Sequence, residues 1–250
     1  MMLHLSQNKE MKFTNPKFHL SLYKDFFSLI KNPKFERRRL LKKEIIKSIL
    51  SLLILNLAIK IVTVIIANEF IGISTKVIER GTESFSKPVF AIILVLISPL
   101  IEEIAFRLSL KFKPLYFSSS VTILSYYLVN KIIYNISNFD YQTDFLTRIT
   151  ISFVLGLIAY IISHKNKTHF ELFWNKHFGL IFYSLALVFG FVHILNYDLS
   201  LKVALLSPIL VLPQLSSALI YSFIRIKYGF IYSLATHIIN NSLVLVSVFN

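Results

Sequence analysis

Two adjacent glutamates, Glu102 and Glu103, stand inside the apolar run VLISPLIEEIAFRLSL. The chain has 13 carboxylates, and the other eleven fall in loops or at the edges of apolar segments. A charged side chain at the centre of a span costs roughly 2.5–3.5 kcal/mol on insertion scales. Such a pair needs partners or a purpose. Helical spacing separates the two. Glu103 and Arg107 are i and i+4, so they share a face and can pair. Glu102 is turned about 100° away and lacks that partner. Glu103–Arg107 therefore suggests a clasp, and Glu102 the reactive group. Pro99 has no N–H to give to the carbonyl of Val95, so a kink or freed carbonyl is expected beside the pair.

Two histidines also sit in apolar runs. His193 lies in LALVFGFVHIL, with Phe189 four residues before it and Gly190 permitting close helix approach. His237 lies in IYSLATHIINNSLVL, with Asn241 at i+4. His4, His19, His164, His169 and His177 fall in loops or at segment ends and are expected to be ordinary polar surface. A lone membrane histidine is more often a hydrogen bonder than a catalyst. Two histidines, a glutamate pair and an asparagine on three segments together favour chemistry. Lys60, in the first apolar segment, is expected to snorkel. Tyr126, Tyr127, Asn130 and Tyr134 either line a cavity or belt the interface.

These residues form three ordered motifs: EEIAFR at 102–107 as Glu-Glu-x-x-x-Arg, FGFVH at 189–193 as Phe-x-x-x-His, and HIINN at 237–241 as His-x-x-x-Asn. The set resembles the CAAX-processing and bacteriocin-processing (CPBP, or Abi) family of intramembrane proteases, and IKYGFIYSLATHIINN is similar to that family's last segment. The resemblance covers roughly residues 88–249. It implies that Glu102 and His193 position and deprotonate a water, and that His237 and Asn241 stabilise the oxyanion. Glu103 and Arg107 would hold the first motif, and Phe189 would pack beside the site. The 86 residues from Arg107 to His193 exceed the family's usual separation. Counted along straight helices, His193 also lies nearer the outer face than Glu102.

Whether zinc takes part is open. Glu102, His193 and His237 could ligate it and leave one position for water, but no HExxH motif is present. A metal-free glutamate protease is slightly favoured. Without that motif, an aspartate inside a span or a placed serine nucleophile, other intramembrane protease classes fit less well. Two further readings stay open: a catalytically inactive membrane immunity or partner protein, and an ion-coupled transporter, whose proton relays use the same residue types.

The elements that must position these groups are membrane helices. Of the 250 residues, 55% are hydrophobic and 16% charged, against about a quarter charged in soluble domains. Apolar stretches reach roughly 20 residues, the length that crosses a bilayer. The expected fold is an all-α, polytopic transmembrane bundle with a CAAX-protease-like core and about seven spans, at 45–67, 88–110, 114–135, 146–164, 177–197, 201–224 and 229–249. Pro208, Pro213 and Gln214 mark the sixth as irregular. Residues 1–44 form a basic tail, 45–87 a first span and outer loop, and 88–250 the core.

The formal charge is +14, and 12 of the 27 Lys and Arg fall in the first 47 residues. No nucleic-acid motif accompanies them, so nucleic acid is not an expected partner. The basic flank and loop charges instead place the N-terminus inside, against an anionic leaflet. Between Pro16 and Pro33 the pattern is that of an interfacial amphipathic helix, with a disordered basic tail as the alternative. Absent cysteine excludes disulfides and thiolate chemistry. The Lys/Ile/Asn bias suggests a bacterial cytoplasmic membrane, where the substrate would be a peptide precursor or membrane-protein segment.

Overall fold

In the computed structural model, residues 13–249 are described except positions 39, 137, 139 and 141. His4, Glu10 and the tail through residue 12 lie outside the described residues. No strand occurs among the described residues. The helices are α1 (Pro16–Lys31), α2 (Lys42–Ile65), α3 (Val77–Ser84), α4 (Lys87–Ile92), α5 (Ser98–Phe106), α6 (Pro114–Leu128), α7 (Phe145–Lys165), α8 (Lys167–Lys176), α9 (Phe178–Val192), α10 (Leu201–Leu210), α11 (Leu212–Lys227) and α12 (Phe230–Phe249). π-helical turns at Ile66–Ile71, Ile93–Ile97 and Val129–Ile133 extend α2, join α4 to α5 and extend α6.

Five segments among the described residues are long and apolar enough to cross a membrane: Lys42–Ile71, Lys87–Leu110, Phe145–Lys165, Phe178–Asn196 and Leu201–Lys227. The chain is thus suited to an integral membrane protein. Helices also occupy the two other expected segments, as α6 with its π turn and as α12. The segment of α6 carries serines, threonine and tyrosines through PLYFSSSVTILSYYL, which dilutes its apolar length. The expected sixth span is two helices, α10 and α11, broken at Val211 next to Pro213.

α11 is the axis of the bundle. Residues 220–229 are all buried, as in a helix surrounded by protein rather than faced by lipid. α2, α9 and α12 pack around it. The peripheral helices are inverted relative to water-soluble ones. α7 buries Arg148, Ser152, Gly156 and Ser163, and turns Phe153, Leu157 and Ile161 outward. Lipid is as apolar as leucine, so small and polar residues gather where backbones approach. At Gly156 an added Cβ would lie 1.8 Å from Thr122 Oγ1 and 3.3 Å from the Ser118 carbonyl oxygen. That glycine sets the α6–α7 distance.

Arg148 carries the opposite end of this pair. It is fully buried and donates to the carbonyls of Thr143 (2.8 Å) and Asp140 (2.5 Å) and to Asn130 Oδ1 (2.8 Å). Tyr126, Tyr134 and Phe145 present their rings to it at 5.8–5.9 Å. These tyrosines and Asn130 therefore enclose a buried guanidinium, rather than line a cavity.

α1 forms over the stretch expected to be an amphipathic helix. Phe18, Leu22, Phe26 and Leu29 are buried in the same core cluster as Leu52, Phe223 and Ile224, so part of its apolar surface is covered by protein, while Leu20 and Phe27 stay exposed. His19 is not free surface. Its Nε2 donates to the Phe13 carbonyl at 2.7 Å, which leaves Nδ1 to meet Ser51 Oγ at 2.8 Å. The following strap is tied to the α11 end: Arg38 N–H donates to the Lys227 carbonyl at 2.9 Å, and Lys227 Nζ pairs with Glu36 at 2.8 Å. The Lys227 hydrogen bond holds the Glu36 carboxyl below the ordinary glutamate range. A depressed carboxyl stabilises the fold above its unfolded value and loses that contribution as pH falls through the lowered one. Gly229, at φ +119°, makes the turn from α11 into α12.

Replacing Gly156 with leucine is expected to lower stability by about 1–3 kcal/mol through overpacking, read as a lower thermal unfolding midpoint in detergent. Adding Thr122→Ala should recover part of the loss. An unchanged midpoint in Gly156→Leu would show that α6 and α7 are not in close contact.

Candidate functional site

The three motifs lie on α5, on α9 with its continuation, and on α12, and the structure brings them together. α5 leaves the π turn Ile93–Ile97, where the Ser98 N–H bonds back to the Ile93 carbonyl. In that register the partner of residue 99 would be the Leu94 carbonyl. Pro99 has no N–H, so the freed carbonyl is Leu94's rather than the Val95 carbonyl expected from α-helical spacing. Asn241 Nδ2 donates to it at 2.9 Å. At the other end, Arg225 Nε and Nη2 donate to the carbonyls of Arg107 and Leu108 at 3.0 and 3.1 Å. A side chain of α11 thereby holds the 3-10 turn that follows α5, where the Arg107 carbonyl also accepts from the Leu110 N–H at 3.2 Å.

Glu103 is fully buried. Oε1 lies 3.5 Å from Arg107 Nε and 3.1 Å from His237 Nδ1, while Oε2 lies 2.5 Å from Ser233 Oγ. The carboxylate can only accept from His237, so Nδ1 carries a proton and Nε2 turns the other way. There it meets Glu102 Oε2 at 3.6 Å. That distance is slightly too long for a direct hydrogen bond and suits an electrostatic contact between the two side chains. Glu102 is half-buried and keeps 19% of its side chain accessible. Of the two carboxylates, it is the one a substrate can reach.

Phe189 joins all three motifs. The Arg107 guanidinium carbon lies 3.8 Å from its ring centroid. Phe106 stands edge-on at 5.3 Å, His193 lies at 4.7 Å and His237 at 6.2 Å. Both terminal nitrogens of Arg107 are buried without a hydrogen-bond partner among the described residues, and the Phe189 face partly compensates that cation. Gly190 beside it lets α9 pack closely on α11, because a Cβ there would lie 2.2 Å from Leu215 Cδ2.

His193 ends α9 and opens a 3-10 turn, His193–Asn196. Its Nδ1 donates to the Phe189 carbonyl at 2.6 Å, which fixes the tautomer and leaves Nε2 as an acceptor in the neutral ring. Glu102, His237 and Arg107 all lie close enough to act on it electrostatically. Straight-helix counting had placed it at a different depth from Glu102. The irregular turns at Ile93–Ile97 and His193–Asn196 sit where the two helices depart from that counting.

The fourth expected participant, Asn241, is already engaged. Besides Leu94, it accepts from Asn240 Nδ2 at 3.3 Å. As a donor, it has only the second hydrogen on Nδ2 left for a ligand.

Zinc would require Glu102, His193 and His237 together. The donor chemistry suits it, since each imidazole engages Nδ1 and keeps Nε2 available. The spacing does not: among the described residues, no three such side chains gather into a group that could hold a metal ion.

Several residues at the site were not singled out from the sequence. Ser233 bridges Glu103 and, at 3.0 Å, the Tyr221 carbonyl. The Tyr221 ring stacks on His237 at 4.6 Å. Asn56, fully buried, joins Ser216, Ser217 and Asn240. Lys60, expected to snorkel, instead turns inward and donates to Asn240 Oδ1 at 3.0 Å, within electrostatic range of Glu102. A fixed acceptor beside a carboxylate outcompetes the distant headgroup region. The signal for Ser233 and Asn240 was present: Ser233, Thr236, His237 and Asn240 are all buried at helical spacing along α12, a polar stripe in an apolar helix.

No family model, curated relative or solved structure matches the chain.

Ser233→Ala removes a hydrogen bond to a buried carboxylate and is expected to cost about 1.5–3 kcal/mol. Denaturant titration in detergent would measure it. A loss under about 0.5 kcal/mol, the level of an ordinary surface change, would mean that Ser233 does not support Glu103.

Proposed function

We propose that this chain is an intramembrane endopeptidase of the CPBP type, with seven spans and the N-terminus in the cytoplasm of a bacterial cell. The observation that carries the reading is the meeting of the three motifs around one buried ion pair, with Glu102 left accessible beside His237. Two carboxylates adjacent in sequence have opposite environments, and environments set roles.

In this reading Glu102, whose side chain is partly accessible, takes a proton from a water bound on its open side, next to His237. His193, held by its own helix carbonyl, accepts a second hydrogen bond from that water through Nε2 and orients it. The water oxygen attacks the scissile carbonyl. His237, when protonated on both nitrogens, donates Nε2–H to the developing oxyanion, while Glu103 balances the charge at Nδ1. The free hydrogen of Asn241 Nδ2 is the second donor. Proton return from Glu102 to the leaving amine completes hydrolysis. Arg107, Ser233 and Phe189 fix positions and touch no reacting atom. The substrate is a peptide precursor or a segment of a membrane protein, reached from within the bilayer. A non-catalytic membrane partner is the second reading, favoured by the engagement of Asn241 with Leu94.

Wild type and Glu102→Gln, reconstituted in liposomes with a tagged membrane-peptide library, provide the test by mass spectrometry. Wild type is expected to cut, and the variant to lose at least about 100-fold in rate, the lower range for a general base. Equal cutting by both would remove Glu102 from the mechanism. No cutting by either would favour the partner reading. Loss of cutting with a chelator, restored by zinc and not by magnesium, would add a metal to the site.

A further inference from the structure

A second site lies away from these motifs, in the long stretch between Arg107 and His193. A cavity of about 470 Å³ opens where the Lys111–Lys113 linker, the end of α7 and the first turns of α8 meet. Lys111, Lys113 and Lys167 supply three positive charges, and Glu171 one negative. Glu171 lies 3.7 Å from Lys167, so Lys111 and Lys113 carry the uncompensated charge. His164, stacked on Tyr160 at 5.4 Å, forms one wall. Phe112, Pro114 and Leu115 form the apolar side.

The position in the fold decides what such a cleft can hold. α7 is long and apolar enough to cross the membrane and ends at Lys165, so the cleft sits at the bilayer boundary. Just below it, Ile158, Ile161 and Ile162 are exposed on α7, a lipid-facing wall leading up to a basic mouth. Basic pockets between helices at this level suit phosphate headgroups, and the volume is in the range of small-molecule sites, roughly 300–1,000 Å³. Lysine stems can lie along the apolar wall while their ammonium groups reach a phosphate.

We propose that this cleft binds the headgroup of an anionic phospholipid, with Lys111, Lys113 and Lys167 on the phosphate and the acyl chains along the outer face of α7. The inner leaflet is its source, an assignment that rests on the topology proposed above. Binding itself does not depend on peptidase activity. The linker that carries Lys111 and Lys113 follows directly on Arg107 and Leu108, whose carbonyls Arg225 holds. The lipid thus sits on the chain segment that ends the helix bearing Glu102.

Native mass spectrometry of the full chain in mild detergent, titrated with phosphatidylglycerol or phosphatidylcholine, tests this. Retention of phosphatidylglycerol in preference to phosphatidylcholine is expected, with a fall of roughly fivefold for each lysine removed among Lys111→Ala, Lys113→Ala and Lys167→Ala. All three side chains are exposed, so the variants should fold. Lysine-to-arginine variants should retain the lipid. Removing three exposed lysines from α1 (Lys17→Ala, Lys24→Ala, Lys31→Ala) controls for net charge and should leave retention in place. Equal retention of the two lipids, or no effect of the three cleft substitutions, would overturn the proposal. Displacement of phosphatidylglycerol by equimolar glycerol phosphate would reassign the cleft to a free phosphate and overturn the lipid.

Discussion

A fully buried carboxylate, Glu103, imposes the constraint from which the rest of the centre follows. An ion taken from water into a low-dielectric interior costs several kcal/mol unless its charge and its hydrogen-bonding capacity are both met. Glu103 meets them with groups from two helices: Arg107 from its own, and Ser233 and His237 from α12. Arg107 in turn needs compensation, and Phe189 on α9 provides part of it. One charge thereby fixes three helices against each other, and none of those contacts uses Glu102.

The same economy runs through the bundle. In lipid, apolar side chains give little net reason for helices to associate, so packing relies on small residues and on polar groups that find partners. α12 lays a polar stripe inward, α7 a stripe of serine, glycine and arginine, and the inner sides of α2 and α11 meet through Asn56, Ser216 and Ser217. From Asn56 the polar chain continues through Asn240, which Lys60 also contacts, to Asn241 and the Leu94 carbonyl that Pro99 leaves free. The irregular π turn before α5 and the asparagine of the third motif belong to one arrangement: the turn selects which carbonyl is orphaned, and the asparagine satisfies it.

Much of this was legible in one dimension. Runs of apolar residues marked membrane helices, and i, i+4 spacing was enough to place Glu103 beside Arg107 and to turn Glu102 away. The paired prolines near 210 marked the break between α10 and α11. What sequence could not supply was whatever depended on a neighbour far along the chain. The part of α1 that packs on the bundle could not be told from its exposed apolar residues, because its cover, α11 with Phe223 and Ile224, lies some two hundred residues away. Lys60 looked like a snorkelling lysine because Asn240 is 180 residues distant. The shift from Val95 to Leu94 followed from a change of helical register that composition does not announce. Ser233 was missed for a simpler reason: one serine in an apolar helix has little signal until the stripe it belongs to is laid out.

The central claim is a division of labour between two adjacent glutamates, one that holds the helices together and one left accessible for chemistry. Unfolding free energies of Glu102→Gln and Glu103→Gln, measured side by side in the same detergent, address it directly. The account predicts a loss of about 3–5 kcal/mol for Glu103→Gln, as for other broken buried ion pairs, and a change within about 0.5 kcal/mol for Glu102→Gln. Equal losses, or the larger loss at Glu102, would contradict it.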